Sequence, residues 1–208
     1  MRTKNSPSVR EQPSFIEAAR KAQIIDATIE VIAELGFANA SLAQIAKRAG
    51  ISKGVIGYYF PSKDDLVRAA VEAFYLTGHE EMMADVQKAT TPTEMLRLYI
   101  RHNIGYIDRN RQATKVMGEI IQNFRTPSGE LVYKPEDAEP MVAGTAALFD
   151  WGQNTGEFRK HDSRVLAVML RAAMDAFAGQ LAIEPDLDVE HQIEEVTEMF
   201  LGAVRKQS

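Results

Sequence analysis

Apolar residues recur at helical spacing along nearly the whole chain. Ala18, Ala22, Ile25, Ile29 and Ile32 advance by four, three, four and three, which places them on one helical face, and Gly36 supplies a C-terminal stop. Ser41 and Gln44 form S-x-x-Q, a capping box in which each side chain satisfies a backbone N–H of the other's turn. A short helix is therefore expected from Leu42 to Ala49, ended by Gly50. Ser52 caps a third helix over 53–59. Pro61 leads into a fourth, capped by Ser62 with Asp65, carrying Leu66, Ala70, Ala73 and Thr77 on one face and running to about Lys88. Thr91-Pro92-Thr93-Glu94 opens a fifth, with Pro at the first helical position and Glu three residues after the cap. The pattern predicts helices over 93–107, 111–124, 139–155, 162–183 and 188–205. Between Arg125 and Glu139 the segment TPSGELVYKPEDA is polar, broken by Pro and Gly, and reads as a loop. With no alternating strand pattern and no fixed-period repeat, the class is all-α.

Charge divides the chain. Over its 208 residues the net charge is −5, yet residues 1–63 hold nine Lys and Arg against five Asp and Glu, while 64–208 hold 15 against 24. From Leu35 to Lys63 there is no acid at all, where proportion would place about four, and the same stretch carries Lys47, Arg48, Lys53 and Lys63. A local cationic surface on an acidic protein suits a polyanion that must approach without carboxylate repulsion. The reading is a flexible arm over 1–14, a DNA-binding domain over 15–63 and a helical domain over 64–208. Lack of Cys removes disulfides, thiolate nucleophiles and Cys-based zinc sites, and fits a reducing interior. The charged N-terminus has no apolar core of a signal peptide or anchor, and no apolar run approaches the ~20 residues of a spanning helix. A cytoplasmic protein with no membrane partner is expected.

Inside the acid-free stretch, SLAQIAKRAGISKGVIGYYF (41–60) has the form of a helix-turn-helix. Such a unit needs a small residue where the helices cross, a Gly at the left-handed end of the first helix and an apolar residue after the turn. Ala46, Gly50 and Ile51 stand in those places, and Leu42, Ile45, Ile56 and Phe60 would close the core beneath. Extended through Pro61-Ser62-Lys63-Asp64-Asp65-Leu66, the segment resembles the TetR (tetracycline-repressor-like) family of transcriptional regulators, whose pattern is approximately T-x-x-x-I-A-x-x-A-G-V-S-x-G-x-L-Y-x-Y-F-x-S-K-x-x-L. The resemblance covers about 60 residues, Ala18 through Ala73. It implies a DNA-binding head joined to a helical ligand-binding and dimerisation domain, and a double-stranded operator as partner. Ser52, Lys53, Gly54 and Val55 would then enter the major groove, Lys53 donating to guanine and Val55 touching a thymine methyl. Tyr58, Tyr59 and Lys63 match positions that touch phosphate or sugar, and Ser41 could add a phosphate contact at a helix N-terminus. Tyr58 is expected to be the more exposed of the pair. Lys47 and Arg48 read as a solvated face. Gly57 departs from the family, which commonly has an aromatic residue there. Either the backbone approaches DNA closely at Gly57, or Tyr58 supplies the missing contact, or the glycine is simply tolerated.

The second domain carries two adjacent apolar stripes on the helix over 162–183. One runs through Val165, Met169, Ala172, Ala176 and Ile183, the other through Leu166, Leu170, Ala173, Phe177 and Leu181. One stripe can face the core and the other needs a cover. The Leu166 stripe, with Ile193, Val196 and Phe200 of the last helix, is assigned to a partner subunit in a four-helix bundle; a thick core within one chain is the alternative. From the resemblance, this domain binds a small molecule. Tyr99, Tyr106, Met117, Ile121, Phe124, Phe149, Trp151 and Met174 are candidate lining residues, and His102 is a polar anchor. Aromatic and Met linings suit an apolar or cationic effector. The fourth helix is the only evident physical link between Lys63 and this domain. No G-x-S-x-G, G-x-G-x-x-G, Walker or H-E-x-x-H motif occurs, and His79, His102, His161 and His191 lack ligand spacing. No enzyme, cofactor or metal is expected. A pure protein-interaction module would account for the apolar helices but not for the acid-free stretch.

Overall fold

Helical periodicity becomes nine α-helices and one 3₁₀ turn in the computed structural model, which describes residues 15–206. The arm expected over 1–14 lies outside the described residues. The helices are α1 (Phe15–Leu35), α2 (Leu42–Arg48), α3 (Lys53–Tyr59), α4 (Lys63–Val86), α5 (Pro92–Arg109), α6 (Arg111–Asn123), α7 (Glu139–Asn154), α8 (Ser163–Ile183) and α9 (Val189–Val204), with the 3₁₀ turn at Pro135–Ala138. Among the described residues there is no strand, only isolated bridges between Arg125 and Leu131 and between Phe158 and Arg205. The segment over 125–139 is thus not a plain loop. It turns back on itself through the first bridge, then winds into the 3₁₀ turn.

Local chemistry accounts for the boundaries. The expected capping boxes form at Ser41 with Gln44 and at Thr91 with Glu94. Ser52, Ser62, Asp162 and Asp188 each accept a bond from a first-turn N–H, so α3, α4, α8 and α9 start with one orphan donor satisfied. At the end of α1 the chain reverses through Gly36 at φ +79°, a left-handed conformation that glycine adopts without a Cβ clash.

Two cores form. The first takes Ile24, Val31 and Ile32 of α1, Ile45 and Ala46 of α2, Ile56 of α3 and Leu66, Val67 and Val71 of α4, and it also draws in Val116, Met117, Ile120 and Phe124 from α6 and its end. The buried stripe of α1 is Ile24, Ala27, Thr28 and Val31 with Ile32; Ala18 and Ala22, expected on it, are exposed, and Ile25 and Ile29 are half-buried. Cover from both α4 and α6 rotates the buried face away from the spacing-derived one. Because α6 fills the first core, the division at residue 63 is not a division in packing.

The second core contains Leu96, Ile100 and Ile104 of α5, Phe149 of α7, Leu170, Met174, Phe177 and Leu181 of α8, and Ile193, Phe200 and Leu201 of α9. Here the assignment of stripes is reversed. Leu170, Phe177, Leu181, Ile193 and Phe200 are buried, and Leu166, Ala173 and Val196 are partly buried against them, all within one chain. The buried members of this stripe, Leu170, Phe177, Leu181, Ile193 and Phe200, are therefore already covered within one chain. The outward stripe is the other one, with Val165 at 51%, Met169 at 56% and Ile183 at 81% exposure, joined by Val168 and by Met199 of α9. Packing with α5, α7 and α9 takes up Leu170, Phe177 and Leu181 of the inner stripe. By length and composition α8 is apolar enough to cross a membrane, a property its outward stripe adds to its buried one.

Candidate nucleic-acid interface

The turn between α2 and α3 is built as the sequence requires. Ala46 is buried at the crossing, its carbonyl accepts the Ile51 N–H at 3.0 Å, and Gly50 sits at φ +66°. Ile45 and Ile56, both fully buried, and Phe60 hold the two helices together. This fixes which face of α3 looks outward. Ser52, Lys53, Gly54, Gly57 and Tyr58 are exposed and Val55 is half-buried. Tyr58 is 74% exposed, while Tyr59 is half-buried against the first core, and the two rings meet edge to face at 4.9 Å. The pair divides its work between solvent and core as expected. A Cβ on Gly57 would meet nothing within 4 Å, so no contact inside the protein requires a glycine there.

The cationic surface is smaller than the residue count suggests. Arg48 pairs with Glu30 at 3.0 Å and with Glu34, both on α1, so it ties α2 to α1 and its charge is locally matched. Among the described residues the Lys53 side chain has no hydrogen-bond or ion-pair partner. Ser41 uses its hydroxyl in the cap, accepting from Gln44 N at 3.3 Å and donating to Gln44 Oε1 at 2.6 Å. Lys63 does not extend freely: its Nζ donates to the Phe37 carbonyl at 3.0 Å and lies 4.9 Å from the Phe37 ring centroid. Burial pushes the Lys63 ammonium below the usual lysine range, with neighbouring Asp64 opposing. Two of its three N–H groups remain for a phosphate. Phe37, which sequence reasoning did not single out, is therefore part of the interface's support. Its only sequence signal was a ring directly after the Gly36 stop.

The proposed effector-lining residues do not surround one cavity. Met117 and Phe124 belong to the first core, Phe149 and Met174 to the second, and Ile121 and Trp151 are half-buried. Tyr99 meets Thr145 Oγ1 at 2.9 Å, and Tyr106 donates to the Phe74 carbonyl at 2.8 Å. His102 is buried, with Nε2 3.1 Å from the Gly78 carbonyl and Nδ1 3.6 Å from Asp85. Of these nine, His102 lines a cleft of about 510 Å³ between α4, α5 and α9, whose other walls include Glu81, Arg101, Arg109 and Glu190. A second cleft of about 320 Å³, between α1, α5, α6 and α8, contains none of them.

Among the described residues the chain is all-helical, with a helix-turn-helix whose second helix, α3, carries no acid and turns one face outward. Residues 24–86 match the family model of bacterial regulatory proteins, tetR family. It is 35% identical over 101 residues to the HTH-type transcriptional regulator BetI 1 of Chromohalobacter salexigens, covering 48% of this chain and 50% of the relative. It is 31% identical over 136 residues to BetI of Stenotrophomonas maltophilia, covering 64% and 65%. The chain thus spans between half and two thirds of the length of these relatives, whose names are those of regulators rather than enzymes. Fold similarity extends further. The fatty acid degradation regulator FadR of Bacillus halodurans superposes with a TM-score of 0.77 at 22% identity, over 88% of this chain and 99% of that one. FadR of Bacillus subtilis, in complex with stearoyl-CoA, gives 0.75 at 24% identity over 88% and 99%. A regulator from Saccharomonospora viridis, in complex with choline, gives 0.75 at 20% identity over 91% and 100%.

Proposed function

We propose that the chain is a sequence-specific transcriptional regulator that binds a palindromic operator as a homodimer, represses, and is released by a small molecule. The observation that carries DNA binding is the outward face of α3, a helix without acids: Lys53, Gly54, Gly57 and Tyr58 are exposed, and among the described residues the Lys53 side chain has no partner to give up. Lys53 and Val55 would read base edges, and Ser41, Tyr58, Tyr59 and Lys63 would meet the backbone. The exposed stripe of Val165, Val168, Met169 and Ile183, with Met199, supports a dimer formed through α8 and α9. Two heads on one dimer would meet successive major grooves about 34–36 Å apart.

The effector reading is an apolar or cationic molecule held by the second domain. Stearoyl-CoA and choline in the two structural relatives are an acyl thioester and a quaternary ammonium, and the half-buried rings of Tyr99 and Trp151 would suit such chemistry by apolar contact and cation–π attraction. A ligand with higher affinity for misaligned heads would release DNA by that difference alone. Footprinting of the purified full chain on its own genomic DNA tests the reading. Protection of palindromic sites with half-sites about one helical turn apart is expected; uniform, sequence-independent protection, or none, overturns it.

A further inference from the structure

The helix α6, assigned by sequence to the sensing half, reaches the DNA-binding head directly. Glu119 Oε1 accepts the Phe37 backbone N–H at 2.6 Å, across 82 positions of sequence. The Phe37 ring packs on Phe124, at the end of α6, with centroids 5.6 Å apart. From the opposite side Lys63, the first residue of α4, donates to the Phe37 carbonyl and covers its ring. Phe37 is thus gripped by α6 through its N–H and ring, and by Lys63 through its carbonyl and ring. Gly36 provides the turn that presents this N–H, and a Cβ there would press on Glu119 Oε1 at 3.3 Å. Arg68 of α4 also lies 5.3 Å from the Phe124 ring centroid, bracing the same joint.

We infer that Glu119 is a positioning residue for DNA binding: through Phe37 it sets the place of the Lys63 ammonium. The inference rests on the operator-binding reading above. The Glu119 side-chain oxygen is an acceptor already in place for the Phe37 N–H, so Glu119 holds Phe37 where water would otherwise compete. The bond to Phe37 orients Lys63 without consuming it, since the ammonium keeps two donors for phosphate. Movement of the last turns of α6 therefore reaches a phosphate contact without travelling along α4. The fourth helix is not the sole link between the domains.

Two variants test this in the full chain. Glu119→Gln keeps an acceptor of the same shape, and Glu119→Ala removes it. Amide hydrogen exchange at Phe37 is expected to accelerate strongly in Glu119→Ala and to stay near wild type in Glu119→Gln. On a DNA fragment protected by the wild type, Glu119→Ala should lose about tenfold in affinity, the size of one charge-assisted contact. The slope of log K against log salt should shrink by about 0.9, one phosphate, while Glu119→Gln retains the wild-type slope. A merely structural role would lower thermal stability in both variants without changing that slope. Equal behaviour of the two variants in exchange and in salt slope overturns the inference. A wild type that protects no site defeats the operator reading instead, and the Phe37 exchange result still decides whether Glu119 holds the joint.

Discussion

Replacing Gly57 by Ala separates two properties that the helix-turn-helix usually couples. Gly57 lies within α3, a helix of seven residues, where glycine costs about 0.8–1.0 kcal/mol relative to alanine. The added methyl meets nothing within 4 Å, and the backbone there has no positive φ, so the gain should not be offset by strain or collision. Part of it comes from the unfolded chain, which loses freedom when glycine is removed. For a protein of this size a change of about 1 kcal/mol moves the midpoint of thermal unfolding by about 2–4 °C. The variant should therefore melt higher by about that amount in a calorimeter. On the close-approach reading, the use of Gly57 lies outside the protein, where the backbone of α3 would meet the groove. Gly57→Ala should accordingly bind an operator fragment about tenfold more weakly in fluorescence anisotropy, in keeping with loss of one or two close contacts. Higher stability with unchanged or tighter DNA binding would refute close approach and leave Tyr58 as the substitute for the missing ring. Lower stability would refute the packing argument itself.

Other predictions concern the stripes of α8 and the DNA contacts. Phe177→Ala should destabilise the fold by about 3–5 kcal/mol in denaturant titration, because Phe177 is buried in the second core. Met169→Glu should leave far-UV circular dichroism unchanged but convert the dimer to monomer in sedimentation velocity, since the side chain is exposed in the single chain; the opposite pattern would restore the Leu166 stripe as the subunit face. Lys63→Met should reduce the salt slope of DNA binding by about 0.9 with little change in melting temperature, as its buried stem is kept. Lys53→Ala should weaken operator binding and relax the preference at one base pair by about 1–3 kcal/mol, read by competition with single-base operator variants. Equal loss across all those variants would make Lys53 a phosphate contact.

How much could be read in advance follows from the range of each interaction. Ser41 with Gln44 and Thr91 with Glu94 were legible because capping is completed within four residues. The helix-turn-helix was legible for the same reason, its small, left-handed and apolar positions lying within one short segment. Choice between two apolar stripes on α8 was not, because spacing defines both faces and only the packing of α5, α7 and α9 chooses one. Arg48 looked like a solvated cation since Glu30 and Glu34, one turn apart on α1, become its partners only when α1 and α2 cross. The grip of Glu119 on Phe37 has no local signature. Its two halves belong to segments read as different domains, and only packing shows that α6 gives Val116, Met117 and Ile120 to the first core.

The pairing of Arg48 with two glutamates bears on how long the protein lingers on the wrong DNA. Affinity for random sequence comes almost wholly from cations that displace counterions, and each one withdrawn lowers it by a constant factor at fixed salt. With Arg48 already matched by Glu30 and Glu34, the head has one cation fewer for displacing counterions than its residue count suggests. On the operator-binding reading, visits to unrelated sites should be correspondingly shorter than the charge of the sequence alone would suggest.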